Sequence, residues 1–221
     1  MFARTAVFIL LILSDGPTVA HCQIKATPIS SRSPAQTFPR ISGMADVVPQ
    51  MHINQLLAER ENQDRAQRLD CLRTHPPGMK SSFSESIHVA YLSKRFLSIE
   101  VSASWDGCAA YPNLDISKPL TINLTTGAQI DWDSFFSAPL VEKYLRRASL
   151  DRDCAQIINR PETQFSFWLD GKARRLMVKP DLPHVTAACA TLTGIPFSEL
   201  RGLVKDSADM NDLLRYSAAG N

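Results

Sequence analysis

Two runs of alternating apolar residues around a short polar turn constrain this chain more than any other feature. The turn is Ser93-Lys94-Arg95, and the alternating apolar positions are Ile87, Val89, Tyr91, Leu97, Ile99, Val101, Ala103 and Trp105. Because successive side chains of a strand point to opposite faces, every second residue of each run lies on one face. The pattern predicts an antiparallel β-hairpin with one buried face.

The order of the other patterns predicts the fold class. Helical spacing over 53–72 precedes the hairpin, and a strand at 120–124, a helical stretch over 131–145 and a short helix around Cys154 follow it. A second hairpin turns at Asp170-Gly171, and further helices are predicted from Ile195 and in the tail. Helix, sheet, helix, sheet, helix is typical of one α+β domain in which an antiparallel sheet packs with helices. The predicted division is a signal peptide at 1–22, a flexible Pro/Ser-rich linker at 23–50, an N-terminal helix at 51–80, the α+β domain at 81–205 and a helical tail at 206–221.

The N-terminal residues indicate export. Arg4 precedes the apolar run 6–13, which Asp15-Gly16-Pro17 interrupts before the small residues that end at Ala20. This pattern is typical of a secretory signal, and the run is too short to span a bilayer. A start at Met44 is the alternative, and it would leave a cytosolic protein. A lipid anchor at Cys22 is disfavoured because His21 is larger than the residue that a lipoprotein cleavage box has before its cysteine.

Four further cysteines, Cys71, Cys108, Cys154 and Cys189, support a periplasmic or secreted location. None lies in a CxxC pair, and an even number in an oxidising compartment favours two disulfides over a zinc site. Of the three possible connectivities, we favour Cys71–Cys108 and Cys154–Cys189, since each closes a loop within one half of the chain. The domain is therefore expected to be disulfide-stabilised.

Composition and spacing exclude several function classes. The formal net charge is +2 without a basic stripe, which argues against nucleic acid. The five histidines show no metal-ligand spacing, and the nine glycines form no phosphate-binding loop. We therefore expect no metal, no cofactor, no membrane span and no catalytic residue. The alternative is an enzyme acting on cell-wall glycans, with acid chemistry from Asp106, Asp115, Asp131 or Asp133. For Asp131 and Asp133, which flank Trp132, helix capping is the favoured interpretation.

One loop has the composition of a binding surface. Trp105 and Asp106 end a predicted strand, Cys108 would pin the loop, and Tyr111-Pro112-Asn113 presents a stiff aromatic surface. Rigid aromatic side chains lose little entropy on association. We therefore predict that Trp105, Asp106, Tyr111, Pro112 and Asn113 bind a ligand, with a structural turn as the alternative.

Several short motifs occur in an order that is similar to a known family. They are Phe96-Leu97-Ser98-Ile99, Tyr111-Pro112-Asn113, Asn123 to Gly127, Trp132 to Phe136, Phe165 to Leu169, Pro180 to Pro183 and Ile195 to Leu200. Residues 83–204 resemble the extracytoplasmic domain of unknown function shared by RsiV-like lysozyme-sensing anti-sigma factors and some peptidoglycan deacetylases. Where that family has Gly-Gly-Ala-His-Pro-Asn, this chain has residues 108–113 without the histidine.

The resemblance implies a non-catalytic binding module of the bacterial cell envelope. Its partner would be an envelope protein such as a lysozyme-type muramidase, or a cell-wall component. We expect neither an anti-sigma segment nor a deacetylase domain in this chain. A glycan-acting enzyme and a purely structural envelope protein are the other hypotheses.

Overall fold

The computed structural model describes residues 24–27, 37–73, 82–106, 114–138 and 140–216. Their strands are β1 (Lys25–Thr27), β2 (Arg40–Ser42), β3 (Ser82–Leu92), β4 (Phe96–Asp106), β5 (Leu114–Ser117), β6 (Leu120–Asn123), β7 (Gln164–Asp170), β8 (Arg175–Asp181) and β9 (Thr193–Pro196). Their α-helices are α1 (Val47–Arg73), α2 (Trp132–Phe135), α3 (Val141–Ala148), α4 (Arg152–Ile158) and α5 (Ser207–Arg215). Two 3-10 helices, His184–Cys189 and Phe197–Leu200, complete the described elements.

The strands form three antiparallel sheets, which confirms the predicted α+β class. β1 pairs with β2, and β7, β8 and β9 form a three-stranded sheet in that order. In the four-stranded sheet β3 pairs with one edge of β4, while β5 and β6 pair with successive parts of its other edge. Both predicted hairpins are present, the first turning at 93–95 and the second at 171–174.

A β-bulge in β3 changes the face on which Tyr91 lies. Val89 pairs with Ile99 and Tyr91 pairs with Ser98, so Ala90 is an extra residue in β3. Ile87 and Val89 contact the hydrophobic cluster that includes α1, whereas Tyr91 belongs to the second cluster of the molecule. The prediction that Ile87, Val89 and Tyr91 share one face is therefore wrong for Tyr91. A bulge inverts the alternation of the residues that follow it.

Helix α1 packs on one face of the four-stranded sheet. Ile53 and Leu57, one turn apart, are fully buried there with residues that alternate along the strands. The surrounding cluster consists of Phe38, Ile41, Ile87, Leu97, Ile99, Val101, Leu120, Ile122 and Leu124. The helical spacing over 53–72 corresponds to α1, which begins four residues before the predicted start at 51, while residues 74–80 lie outside the described residues. Its apolar stripe is narrow because the residues after Leu57 are mostly polar.

The prediction of a flexible linker is wrong for residues 37–50. Phe38 is 0% exposed and Ile41 is 2% exposed, and α1 begins at Val47. The amide of Asn54 fixes β2 on the helix: its Oδ1 accepts from the backbone N of Ile41 at 2.7 Å, and its Nδ2 donates to the carbonyl of Ile41 at 2.9 Å. A Ser/Pro-rich composition suggests a linker, but two buried apolar side chains and a paired backbone are sufficient to order this segment.

The second hydrophobic cluster lies between the three-stranded sheet and α2, α3 and α5. The single helix predicted over 131–145 is two short helices, α2 and α3. Phe136 ends the first helix in an extended conformation and forms a β-bridge with Val204, and the N–H of the next residue, Ser137, donates to the carbonyl of Leu203 instead of continuing the helix. The helix predicted from Ile195 begins only at Phe197, because the residues before it pair with β8.

A small group of buried polar atoms joins the two larger sheets, and we call it the sheet junction. The hydroxyls of Ser98 on β4 and Thr121 on β6 share a hydrogen bond of 2.8 Å, and both residues are almost completely buried. The backbone N–H of Leu169 on β7 donates to the Ser98 hydroxyl oxygen at 3.0 Å. Hydrogen-bond partners inside the protein thus satisfy polar groups that water does not reach.

One predicted disulfide is confirmed, and the other stays a prediction. Cys154 on α4 is bonded to Cys189, across a sequence separation of 35 residues. On the chain-entropy model such a bridge stabilises the fold by about 4 kcal/mol. Cys71 lies in the last turn of α1, while Cys108 lies outside the described residues.

Two carboxylic acids, one on α1 and one on β3, border the same small cavity. Asp64 is 9% exposed and forms an ion pair with Arg60 at 3.3 Å, and its Oδ2 has no hydrogen-bond partner among the described residues. Glu85 on β3 lines the same small cavity. Burial, followed by the charge of Asp64, raises the pKa of Glu85 to about 7. Burial also raises the pKa of Asp64, although Arg60 and Lys118 oppose that shift.

Removing the Ser98 hydroxyl is expected to destabilise the fold by about 1–3 kcal/mol, because Ser98→Ala leaves the buried N–H of Leu169 without an acceptor. Chemical denaturation monitored by circular dichroism measures the free energy of unfolding. Ser102→Ala is the control, since Ser102 is exposed on the same strand. Equal stability of the two variants would contradict the structural role of the junction.

The free energy of unfolding is expected to decrease as the pH rises from about 4.5 to about 7. In this range an unfolded chain has already ionised Glu85, while the folded protein retains the proton, so the folded state binds more protons. Glu85→Gln should flatten this part of the stability profile, and Glu162→Gln, at an exposed position, should not. Denaturation series at several pH values measure the profile, and an unchanged slope in Glu85→Gln would refute the assignment.

Peptide mapping of the exported protein under non-reducing conditions is expected to find Cys71 linked to Cys108. Contacts of nearby residues support this pairing. The guanidinium of Arg68, three positions before Cys71, lies 5.5 Å from the centre of the Phe83 ring. Phe83 in turn pairs with Trp105, three positions before Cys108. The Cys154–Cys189 peptide is the internal control. Free thiols at Cys71 and Cys108 would contradict this connectivity.

Candidate functional site

The loop predicted to bind a ligand falls largely outside the described residues. Trp105 and Asp106 form the end of β4, where they pair with Phe83 and Ser82. Tyr111, Pro112 and Asn113 are not among the described residues. Ligand binding by these five residues stays a prediction. The described residues contain a different feature with the geometry of a binding site.

A cleft of about 700 Å³ opens between the start of β7, helix α2 and the segment after α4. We call it the aromatic cleft, and its lining residues are Ile130, Asp131, Trp132, Asp133, Leu140, Tyr144, Ile158, Asn159, Arg160, Pro161, Thr163, Gln164, Phe165, Phe167 and Val178. Its volume lies within the range of small-molecule sites, roughly 300–1,000 Å³. Its lining combines aromatic rings with a polar rim, which is the usual composition of such sites.

A continuous row of aromatic rings forms one wall of the cleft. The ring centre of Tyr144 lies 5.4 Å from that of Phe165, which lies 6.1 Å from that of Phe167. The Phe167 ring in turn lies 5.6 Å from Trp132, which stacks on Phe136 at 5.8 Å. Trp132, Phe165 and Phe167 are half-buried, so each exposes part of its surface to the cleft.

Secondary structure fixes each ring of this wall. Phe165 and Phe167 alternate on β7 and share a face with Leu169, whose side chain is in the core. The Tyr144 hydroxyl donates to the carbonyl of Thr191 at 2.6 Å. Burial raises the pKa of Tyr144 to about 12, so this phenol stays protonated at neutral pH. Strand β7, the core contacts and this hydrogen bond thus hold Phe165, Phe167 and Tyr144 in place.

The rim of the cleft supplies hydrogen-bonding groups. Asp131, Asp133, Asn159, Arg160 and Gln164 are all exposed or partly exposed there, and each carries donors or acceptors. The disulfide at Cys154 holds α4, whose C-terminal end leads into Asn159 and Arg160.

The four aspartates considered for catalysis are divided between two regions. Asp131 and Asp133 lie at the aromatic cleft, where the Asp131 carboxylate caps α2 by accepting from the backbone N of Asp133 at 3.2 Å. This confirms the helix-capping interpretation for Asp131. Asp106 and Asp115 are in β4 and β5, where Asp115 pairs with Ser104, and their side chains are not among those described.

Sequence reasoning found only part of the aromatic cleft. In the sequence Trp132 stands out only through the two aspartates that flank it, whereas the alternation of Phe165 and Phe167 predicts an ordinary strand with one buried face. Their alternation does not indicate that the first residues of β7 border a cleft, because the cleft exists only where α2 and α4 lie beside this strand. The pair of phenylalanines at the start of an edge strand was the available signal.

Neither a metal centre nor a membrane helix is found in the part of the chain that the structure describes. No group of three or more His, Cys, Asp or Glu side chains there is placed to hold a metal ion. Similarly, none of the described helices has both the length and the apolar character needed to cross a bilayer.

The fold is similar to that of a solved bacterial protein. The crystal structure of a member of the DUF3298 family from Bacteroides fragilis NCTC 9343 matches with a TM-score of 0.53, over 80% of this chain and 86% of the other. The two sequences are 9% identical, so the likeness concerns the fold alone. No protein-family model and no curated protein matches the chain.

Proposed function

We propose that this protein is a non-catalytic, extracytoplasmic binding module of the bacterial cell envelope, and that it binds cell-wall glycan in the aromatic cleft. The observation that supports this proposal most strongly is the half-exposed wall of Trp132, Phe165 and Phe167 beside a polar rim. The fold likeness to a DUF3298 member agrees with the family resemblance of residues 83–204.

The chemistry of a sugar matches this surface. A pyranose ring has an apolar C–H face and a perimeter of hydroxyls. The C–H face can pack on the aromatic wall, because aromatic faces are apolar and carry partial negative charge. The hydroxyls can hydrogen-bond with the Asp133 carboxylate, the Asn159 and Gln164 amides and the Arg160 guanidinium on the rim. A rigid wall also reduces the entropy lost on binding.

A binding role is favoured over hydrolysis by the placement of the cleft carboxylates. Glycosidases require two carboxyl groups on opposite sides of one glycosidic bond, roughly 5–10 Å apart. Asp131 and Asp133 flank Trp132 at the start of a single helix, where a spacing of two residues points side chains in different directions. The Asp131 carboxylate is in addition engaged as the helix cap.

An envelope location is part of the proposal. The Cys154–Cys189 disulfide is compatible with an oxidising compartment. The apolar run that precedes Asp15 supplies the predicted export signal. A lysozyme-type muramidase is the partner that the family resemblance would suggest instead of glycan, and the binding experiment distinguishes the two.

Phe165→Ala is expected to weaken glycan binding about tenfold, or ~1.4 kcal/mol, because it removes one ring of the wall. Isothermal titration of the full chain with peptide-free peptidoglycan glycan strands measures the affinity. Val185→Ala, at an exposed apolar position outside the cleft, should bind like the unsubstituted protein. Thermal unfolding verifies that Phe165→Ala remains folded at the titration temperature.

Three results would contradict the proposal. The first is an absence of glycan binding by the unsubstituted protein, whether or not a lysozyme-type muramidase is retained in a pull-down. The second is an equal affinity of Phe165→Ala and Val185→Ala. The third is release of reducing sugar that is lost in Asp131→Asn or Asp133→Asn, which would identify an enzyme.

A further inference from the structure

The aromatic wall has a second side. Trp132, Phe165 and Phe167 also line an adjoining hollow of about 400 Å³, and we call it the basic hollow. Its other lining residues are Arg60, Lys118, Pro119, Gln129, Ser166 and Asp181. The same three rings border both spaces, so a ligand of several sugar units that lies across these rings would contact the cleft and the hollow together.

Lys118 is the cation of this hollow that a ligand can engage. Its ammonium donates to the neutral amide Oε1 of Gln67 at 3.0 Å, and the residue is half-buried. Among the described residues no carboxylate oxygen lies within the 4.0 Å of an ion pair with Lys118, although Asp64 acts on it at longer range. Lys118 also borders the small cavity of Asp64 and Glu85, but it forms no ion pair with a described residue, so its ammonium can pair with an anion that enters the hollow.

The other charged groups of the hollow are engaged. The Arg60 guanidinium forms an ion pair with Asp64 and also donates to the carbonyl of Lys118 at 3.2 Å, which fixes the position of that residue. The Asp181 carboxylate accepts from the Ser166 hydroxyl at 2.9 Å and 3.0 Å, which satisfies its oxygens but leaves its negative charge in the lining of the hollow. The two cations come from α1 and from the residues between β5 and β6, whereas Asp181 ends β8.

We infer that the ligand is an acidic glycan, in which a sugar carboxylate contacts Lys118 in the basic hollow while neighbouring rings pack on Trp132 and Phe167. This inference rests on the proposed function and specifies the ligand class of the same site. A half-buried ammonium beside aromatic faces selects a sugar acid over a neutral sugar, because the contact is electrostatically favourable only when the ligand carries an anion. It selects a sugar acid over a free anion because the rings contribute nothing to the binding of the latter.

The test compares two probes that differ only in charge. One is an oligosaccharide of alternating N-acetylglucosamine and N-acetylmuramic acid, and the other is the same oligosaccharide with its carboxylates converted to amides. The full chain should bind the acid about threefold to fivefold more tightly than the amide, the size typical of a partly exposed ion pair. Raising the NaCl concentration from about 50 mM to about 500 mM should reduce this preference, because salt screens such pairs.

Variants at Lys118 test whether this side chain causes the preference for the acid over the amide. Lys118→Gln should bind both probes equally, with the affinity that the unsubstituted protein has for the amide. Lys118→Arg should retain the preference, because it retains the charge. Lys172→Gln, which removes an exposed lysine of the β7–β8 turn, should behave like the unsubstituted protein.

The outcomes separate this inference from the function on which it rests. If the unsubstituted protein binds both probes equally, or if Lys118→Gln retains the preference, the assignment of an acidic ligand is wrong while glycan binding stands. If the unsubstituted protein binds neither probe, both proposals are wrong. Circular dichroism confirms that each variant is folded, so that a lost preference reports on charge.

Discussion

The sheet junction is the interaction on which the remaining structure depends. Ser98 and Thr121 are buried polar side chains, and the N–H of Leu169 reaches them from the other sheet. The carbonyl of Thr121 also accepts from the N of Ile130 at 2.8 Å, two residues before Trp132. One buried cluster of hydrogen bonds thus positions both sides of the aromatic cleft, the β7 side through Leu169 and the α2 side through Ile130. Because an unpaired polar group would be costly here, the arrangement of the sheets is strongly specified.

The bulge in β3 reinforces this arrangement at a second point. The N–H of Gly171 donates to the carbonyl of Ala90, the bulged residue, at 2.8 Å. The bulge also turns Tyr91 towards the tail, where its hydroxyl donates to Asp212 on α5 at 3.1 Å and its ring stacks on Tyr216 at 4.1 Å. A Cβ on Gly171 would lie 2.6 Å from the hydroxyl oxygen of Tyr216, so any larger residue there would displace the Tyr216 ring from its place between the second hairpin and the tail.

Local patterns were sufficient for the fold class and insufficient for the site. Alternation identified both hairpins, since each strand carries its own buried face. It could not reveal the bulge at Ala90, because the extra residue is stabilised by Gly171, far away in the sequence. Likewise the burial of Phe38 could not be predicted, because this residue lies in a Ser/Pro-rich segment whose composition is typical of a linker. Trp132 was recognised beside its two aspartates, but Phe165 belongs to the cleft only because separate elements meet there.

The rings of the aromatic wall are partly buried in the core and partly exposed to solvent. Phe165, Phe167 and Trp132 pack against the second hydrophobic cluster with one part of each ring and expose the remainder. Their positions are therefore already fixed before a ligand arrives, and binding requires little additional ordering. Such a wall alone would accept sugars in either direction along the cleft. In the proposed complex a charge at one end, supplied by Lys118, would make the two directions unequal: the rings would provide affinity and the ammonium would set the orientation of the ligand.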